Sequence, residues 1–280
     1  MFYTEQHRGV IIYKSDLLPV PHGFSTRCGG VSSQPATRSL NLGTGRGDDD
    51  ETVTENRRLF ADACGFPPPY PAKNNILTSA RQIHSDIIEY IDGSNADAAF
   101  VCDGFITQTP RVPIAVKTAD CVPVLLYAAK SNAGNIAAAL HSGWRGTAAG
   151  IAAVAVESMV RLGVAPENIY AAVGPHIGAE CFIVSDDFGD MFYAIASASH
   201  SRVHAAMAGD LTSRCGFRGD DGKLRFDLTL AVVSSLSAAG VPSSHIDTAD
   251  LCTVCSPDEF YSHRRDGEAR GVMMSAVMLV

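Results

Sequence analysis

Apolar positions recur along this chain with two periods, and each predicts elements. Residues 50–64 place acidic side chains first, then Val53, Leu59, Phe60 and Ala63 on one face, then Gly65. That order predicts a helix with a glycine stop. Asp227–Ala239 predicts another, N-capped by Asp227 and ended by Gly240. Thr147–Leu162 is Ala-rich and closed by Gly163, which predicts a third. Short apolar runs predict strands at Ile76–Ala80, Ile87–Ile91, Ile114–Lys117, Val122–Tyr127, Ile136–Leu140, Ile169–Val173 and Met273–Val280. Strands and helices alternate without a strict βαβ rhythm, so the expected fold class is α/β or α+β around a mixed sheet. The Pro67–Pro71 stretch is too short to separate domains, and there is no internal repeat. Residues 1–280 are therefore expected to form a single domain.

Composition narrows the function. With 46% apolar and 19% charged residues in 280, the chain is globular and long enough for a substantial core. The formal net charge of −8 argues against nucleic-acid binding while leaving room for a local basic pocket holding a small anion. The run Gly271–Val280 is about half the length a membrane helix needs, and Val10–Ile12 is too short for a signal peptide. The expected location is the cytoplasm. The eight cysteines, at positions 28, 64, 102, 121, 181, 215, 252 and 255, are expected to be mostly free, buried thiols.

Three polar residues stand where strands should end: His84 in Gln82-Ile83-His84-Ser85, Cys121 in Thr118-Ala119-Asp120-Cys121, and His141 in Leu140-His141-Ser142-Gly143. Their spacings, 37 and 20 residues, are too long for a zinc finger but suit a catalytic metal site whose ligands converge from separate strand ends. Two imidazoles and a thiolate favour zinc. Spacing leaves open a second option, Cys121 as nucleophile with His141 as base. After His141, the run Ser142-Gly143-Trp144-Arg145-Gly146 leads into the predicted helix from Thr147. A helix start beside an arginine favours an anion, with Arg145 as a fork of donors. A plain tight turn is the alternative.

Longer blocks carry a resemblance. They are His22-Gly23-Phe24-Ser25-Thr26-Arg27 with Gly29-Gly30-Val31-Ser32, Ser39-Leu40-Asn41-Leu42-Gly43, Gly47-Asp48-Asp49, Gln82-Ile83-His84, and Asp103-Gly104 with Thr107. The strongest are Thr118-Ala119-Asp120-Cys121-Val122-Pro123-Val124-Leu125-Leu126 and His141-Ser142-Gly143-Trp144-Arg145-Gly146-Thr147. Gly174-Pro175, Cys252-Thr253 and Phe260-Tyr261-Ser262-His263-Arg264-Arg265-Asp266 follow in order. Over about residues 20 to 280 the chain resembles the multicopper polyphenol oxidase (laccase-domain) family, also called the YfiH-like purine nucleoside phosphorylase family.

The resemblance implies a zinc enzyme with His84, Cys121 and His141 as metal ligands, and a fold similar to that of toxin cysteine hydrolases. It implies phosphorolysis of adenosine, inosine, guanosine and methylthioadenosine, and deamination of adenosine. The substrates would then be purine nucleosides and phosphate. Asp120 becomes a candidate proton carrier or a partner for a ligand histidine. Arg145, Arg27 and Arg265 are the candidates for holding phosphate. Copper is disfavoured because no His-x-His pair occurs among the nine histidines. The chain departs from the family pattern at Ile183, often acidic, at Val232, often Asn, and at Arg270-Gly271-Val272, often Thr-Gly-Arg. Rival classes are a Cys121–His141 hydrolase or amidase acting in cell-wall peptide editing, and a copper polyphenol oxidase. Of the remaining features, Cys252-Thr253-Val254-Cys255 is read as structural, His200 and His204 as a solvated face, His176 as a candidate pocket residue, and Trp144 as packing.

Overall fold

The computed structural model describes residues 1–68, 76–129 and 134–280. Part of the Pro67–Pro71 stretch lies outside the described residues. Thirteen strands occur among them: Phe2–His7 (β1), Val10–Ser15 (β2), His22–Ser25 (β3), Ile88–Ile91 (β4), Gly104–Thr107 (β5), Ile114–Thr118 (β6), Val122–Ala128 (β7), Ile136–Ser142 (β8), Ile169–Val173 (β9), Gly216–Arg218 (β10), Leu224–Phe226 (β11), Ile246–Thr248 (β12) and Met273–Val277 (β13). Eight α-helices accompany them: Asp50–Cys64 (α1), Trp144–Ala149 (α2), Ile151–Arg161 (α3), Phe188–Ser197 (α4), Arg202–Ala206 (α5), Ala208–Cys215 (α6), Leu228–Ala238 (α7) and His263–Asp266 (α8).

Two sheets form the centre. An antiparallel sheet runs β1-β2-β3-β13-β6. A mixed sheet runs β12-β9-β7-β8-β5-β4, parallel at its two outer pairs. In β7 and β8 every residue is buried, because both faces are covered. Alternation sorts the side chains: Leu125, Tyr127, Ala137 and Ala139 meet Phe24, Ile114, Val116 and Val277 of the antiparallel sheet. Val124, Leu126, Ala138 and Leu140 meet α3, α4, α6 and α7. On the far face of the antiparallel sheet, Phe60, Ala61 and Cys64 of α1 pack on Val10, Ile12, Met274 and Ala276. The layers are thus helix, sheet, sheet, helices: a mixed α+β domain of packed sheets covered by helices.

Most expected elements are present, and the differences have local causes. Ile76–Ala80 is not a strand. It makes single bridges, Thr78 to Ile114 and Ala80 to Phe100, so it changes partner before a ladder can form. The predicted helix from Thr147 begins three residues earlier and is broken at Gly150, whose φ is +82°. A Cβ there would lie 2.6 Å from the His204 ring, so glycine provides both the turn and the space. His204 is consequently buried, bonded to the Ala148 carbonyl at 2.9 Å and to Ser235 at 3.1 Å. This corrects its reading as a solvated residue; only His200 is exposed, beside Asp86. Asp227 caps α7 as expected, accepting from the Leu230 N–H at 2.8 Å.

Candidate metal centre and its two cavities

Three neighbouring strand ends of the mixed sheet build the site. β7 begins one residue after Cys121, β8 ends with His141 and Ser142, and β5 begins one residue after Asp103. Antiparallel pairing puts these ends side by side, with Pro123 opposite His141 and Gly104 opposite Leu140. His84 arrives from outside the sheet on a bend with φ +62°. That unfavourable backbone is held by the Asp103 carboxylate, which accepts from the N–H groups of Ile83, His84 and Ser85 at 3.2, 2.9 and 2.7 Å. Gln82 ties the same segment to β6 through two 2.7 Å bonds with the Lys117 backbone.

The ligand atoms of His84, Cys121 and His141 lie within 4.8 Å of one another. The Cys121 sulfur is 3.8 Å from His84 Nε2, and the two imidazoles meet edge-on with centroids 4.8 Å apart. The His141 Nδ1–H donates to Asp103 at 2.8 Å, which fixes the tautomer and turns Nε2 toward the cluster. A Cβ at Gly143 would sit 2.5 Å from the His84 ring and 3.1 Å from the sulfur, so only glycine leaves the space open. Burial disfavours charge here, yet charge is kept. The Cys121 thiol falls to about 6, because the His141 and His84 imidazoles outweigh burial. His141 rises to about 9 against burial, held charged by the Cys121 sulfur and Asp103. Asp103, resisting burial through His141 and Ser85, falls to about 2. A half-buried thiol with a lowered pKa, flanked by two imidazoles, one backed by a carboxylate, fits a divalent cation with soft-to-borderline character.

Two cavities meet at this cluster, sharing His84, Ala119 and Cys121. The first, about 280 Å³, is cationic: Arg46, Arg81, Lys117 and Arg270 line it. Burial and repulsion from Arg57 and Arg46 lower the Lys117 pKa to about 8. Among the described residues no acidic side chain pairs with Lys117. The buried Arg270 Nε has no protein acceptor. Arg270 and Val272 line the same cavity, so an arginine enters it from a position two residues before the family's usual one. Asp48, accepting from Ser32, Thr37 and Asn41, braces the loop leading to Arg46 and so explains the Ser39–Gly43 and Gly47–Asp49 blocks. The second cavity, about 440 Å³, is walled by Ile177, Phe182, Phe188, Met191 and Leu228, with Trp144 and Arg145 at its side.

The remaining candidates fall into place around these walls. Arg145 lines the second cavity, its guanidinium 4.3 Å over the Trp144 ring, and α2 behind it is only six residues long. Arg27 and Arg265 enter neither cavity. Arg27 donates to the Arg38 and Pro257 carbonyls, and Arg265 to those of Thr253, Val254 and Phe260. Asp120, at φ +93°, bonds no histidine: its oxygens accept from the Thr253 hydroxyl and the Arg264 N–H, both at 2.6 Å. The carboxylate that orients a histidine of the cluster is instead Asp103. His176 donates its Nδ1–H to the Gly174 carbonyl at 2.8 Å and meets the Thr229 hydroxyl through Nε2 at 2.6 Å, in a separate cleft.

A family model described as multi-copper polyphenol oxidoreductase laccase matches residues 21–280. The chain belongs to this family. It is 36% identical over 272 residues to a purine nucleoside phosphorylase of Deinococcus radiodurans, covering 97% of this chain and 94% of that one. It is 34% identical over 252 residues to adenosine deaminase RL5 from an unknown prokaryotic organism, covering 87% and 88%. Among solved structures it is similar to the Bacillus licheniformis hypothetical protein YfiH, with a TM-score of 0.81, 29% identity and 99% of each chain covered. Among the described residues His84 and His141 share a candidate metal cluster, and the other such cluster holds cysteines alone. No helix of the described residues is long and apolar enough to cross a membrane.

Proposed function

We propose that this chain is a zinc-dependent purine nucleoside enzyme that phosphorolyses adenosine, inosine, guanosine and methylthioadenosine and deaminates adenosine. One observation carries the proposal: a cationic cavity and an apolar, aromatic cavity open on the same His–Cys–His cluster. Phosphate suits the first and a purine the second, with the ribose at their junction. The names of the relatives from Deinococcus radiodurans and the unknown prokaryote support the two reactions.

His84, Cys121 and His141 would hold the metal. When bound, zinc is a Lewis acid and lowers the pKa of a water molecule to near neutrality. Phosphorolysis breaks the C1′–N9 bond and forms a C1′–O bond to phosphate through an oxocarbenium-like state. Arg46, Arg81, Lys117 and Arg270 hold phosphate against its own charge, beside the anomeric carbon. The apolar wall of Phe182, Phe188 and Leu228 buries the base and excludes bulk water from it. Asp103 keeps both histidines oriented, one through its ring and one through its backbone.

Incubation with adenosine, with and without phosphate, tests this. Adenine and ribose 1-phosphate are expected only with phosphate, and inosine with ammonia in its absence. Unchanged adenosine with zinc-loaded protein contradicts the proposal. A second reading has its own support: Cys121, His141 and Asp103 are arranged as a nucleophile, base and orienting acid would be. Alkylation separates the two, since a zinc-held thiolate resists iodoacetamide until chelator is added, whereas a nucleophile reacts at once.

A further inference from the structure

Cys252 and Cys255 share a turn, and a third thiol meets them from 74 residues away. The sulfurs of Cys181, Cys252 and Cys255 lie within 4.8 Å of one another, Cys181 and Cys255 only 3.4 Å apart. Cys181 ends a short 3₁₀ turn, Ala179–Cys181, and Cys255 is exposed. The Cys-x-x-Cys, read from the sequence as structural, thus meets a third thiol from elsewhere in the chain, and Cys255 is not buried.

The frame around the thiols is fixed by other bonds. Gly178 donates its N–H to the Cys252 sulfur at 3.2 Å, and the backbone N–H groups of Val254 and Cys255 face the same atom. Amides directed at the first sulfur of a Cys-x-x-Cys turn favour its thiolate form. Arg265 holds the Thr253 and Val254 carbonyls, and Arg264 holds those of Cys181 and Ile183. Thr253 anchors the turn to Asp120. Three sulfurs are therefore held together without depending on a bond among themselves.

We propose that Cys181, Cys252 and Cys255 form a second, thiolate-only zinc site that staples the wall of the apolar cavity. Sulfur ligation by three thiolates suits a soft or borderline cation, and the exposed side at Cys255 leaves a fourth position to solvent. Cys181 directly precedes Phe182 and Ile183, and the Cys-x-x-Cys turn leads to His263 and Arg264; all four line that cavity. Zinc here adds a covalent-strength tie between two segments that are otherwise joined by hydrogen bonds and by the Arg264 guanidinium over the Phe182 ring. The site stands whatever the reaction at His84, Cys121 and His141.

The test is zinc stoichiometry together with thiol mapping in the full chain. Wild type is expected to bind two zinc ions, and His84→Ala and Cys255→Ser one each. In wild type, zinc should protect Cys181, Cys252 and Cys255 from iodoacetamide, as read by peptide mass, and chelator should remove the protection. With cobalt as probe, His84→Ala should keep the stronger thiolate charge-transfer absorption and Cys255→Ser should lose it. An unchanged zinc count in Cys181→Ser and Cys255→Ser overturns the proposal. So does unprotected alkylation of the three wild-type thiols in saturating zinc, or a Cys181–Cys255 disulfide that zinc does not prevent.

Discussion

The two cavities beside the His–Cys–His cluster differ in everything except the floor they share. The cationic one is assembled from the antiparallel sheet and its loops: Lys117 lies near the end of β6, Arg270 precedes β13, and Arg46 and Arg81 come from loops. The apolar one is assembled from the helical layer, with Trp144 on α2, Phe188 and Met191 on α4, and Leu228 on α7. The first concentrates positive charge on a chain of net charge −8; the second is an extension of the core. A bound anion would meet four convergent cations, of which Arg46 and Arg270 share Glu268 and Lys117 has no acidic partner among the described residues, so the first cavity selects by charge. The second selects by shape and apolar area, which discriminates less sharply. Under the proposed function one cluster would serve two reactions, of which only one would need the cationic side.

Breaking the shared floor has the largest expected effect. Cys121→Ala or His141→Ala should lose the cluster's metal and lower kcat/KM for both reactions by about 10³-fold or more, since a ligand and the charge it balances are both removed. Nucleoside assays with metal analysis check this. Splitting the comparison comes next. Lys117→Met with Arg270→Met should raise KM for phosphate by roughly 100-fold, at about 1.5 kcal/mol or more per charged hydrogen bond lost, and leave deamination within about twofold. Equal loss of both reactions would show that the cavities do not divide the substrates. Asp103→Asn should weaken metal affinity by about 10- to 100-fold, as expected when the partner of a ligand histidine is altered; competition with a chelator measures it.

The smallest effect is a pH limb that belongs to one cavity. Lys117 is charged below its pKa, and burial has brought that value down to about 8. Phosphate binding should therefore be full below pH 8 and weaken as pH rises through it, by at most about tenfold per unit. Phosphorolysis kcat/KM should show this alkaline limb, and deamination should not. Lys117→Met should remove it. A limb of equal size in both reactions would place the titrating group in the shared floor instead.

The same contrast separates the parts of the molecule that are legible in the sequence from those that are not. The cluster is legible because His84, Cys121 and His141 each sit in a dense block of the sequence, Cys121 and His141 at strand ends and His84 on a bend outside the sheet. The fold class is legible from the buried runs of β7 and β8, which no solvated strand would show. The apolar cavity is half visible, since its walls follow the motif at Trp144. The cationic cavity is hidden: Arg46, Arg81, Lys117 and Arg270 are scattered over 225 positions, and nothing local distinguishes them among 22 lysines and arginines. Arg27 and Arg265 stand in stronger motifs, but those motifs hold loop carbonyls. Asp120 draws attention by standing next to Cys121, yet Asp103 is the carboxylate that reaches a ring, because adjacency in the chain is a poor guide to contact across strands. The third cysteine depends on a contact between positions 181 and 255 that no short window contains.

The most direct test is anomalous scattering at the zinc edge from crystals grown with zinc. One ion is expected at bonding distance, about 2.0–2.3 Å, from the Cys121 sulfur and from one nitrogen each of His84 and His141, beneath both cavities. No peak among those three atoms in zinc-saturated crystals, with Cys121 alkylated at once in solution, would contradict the central claim.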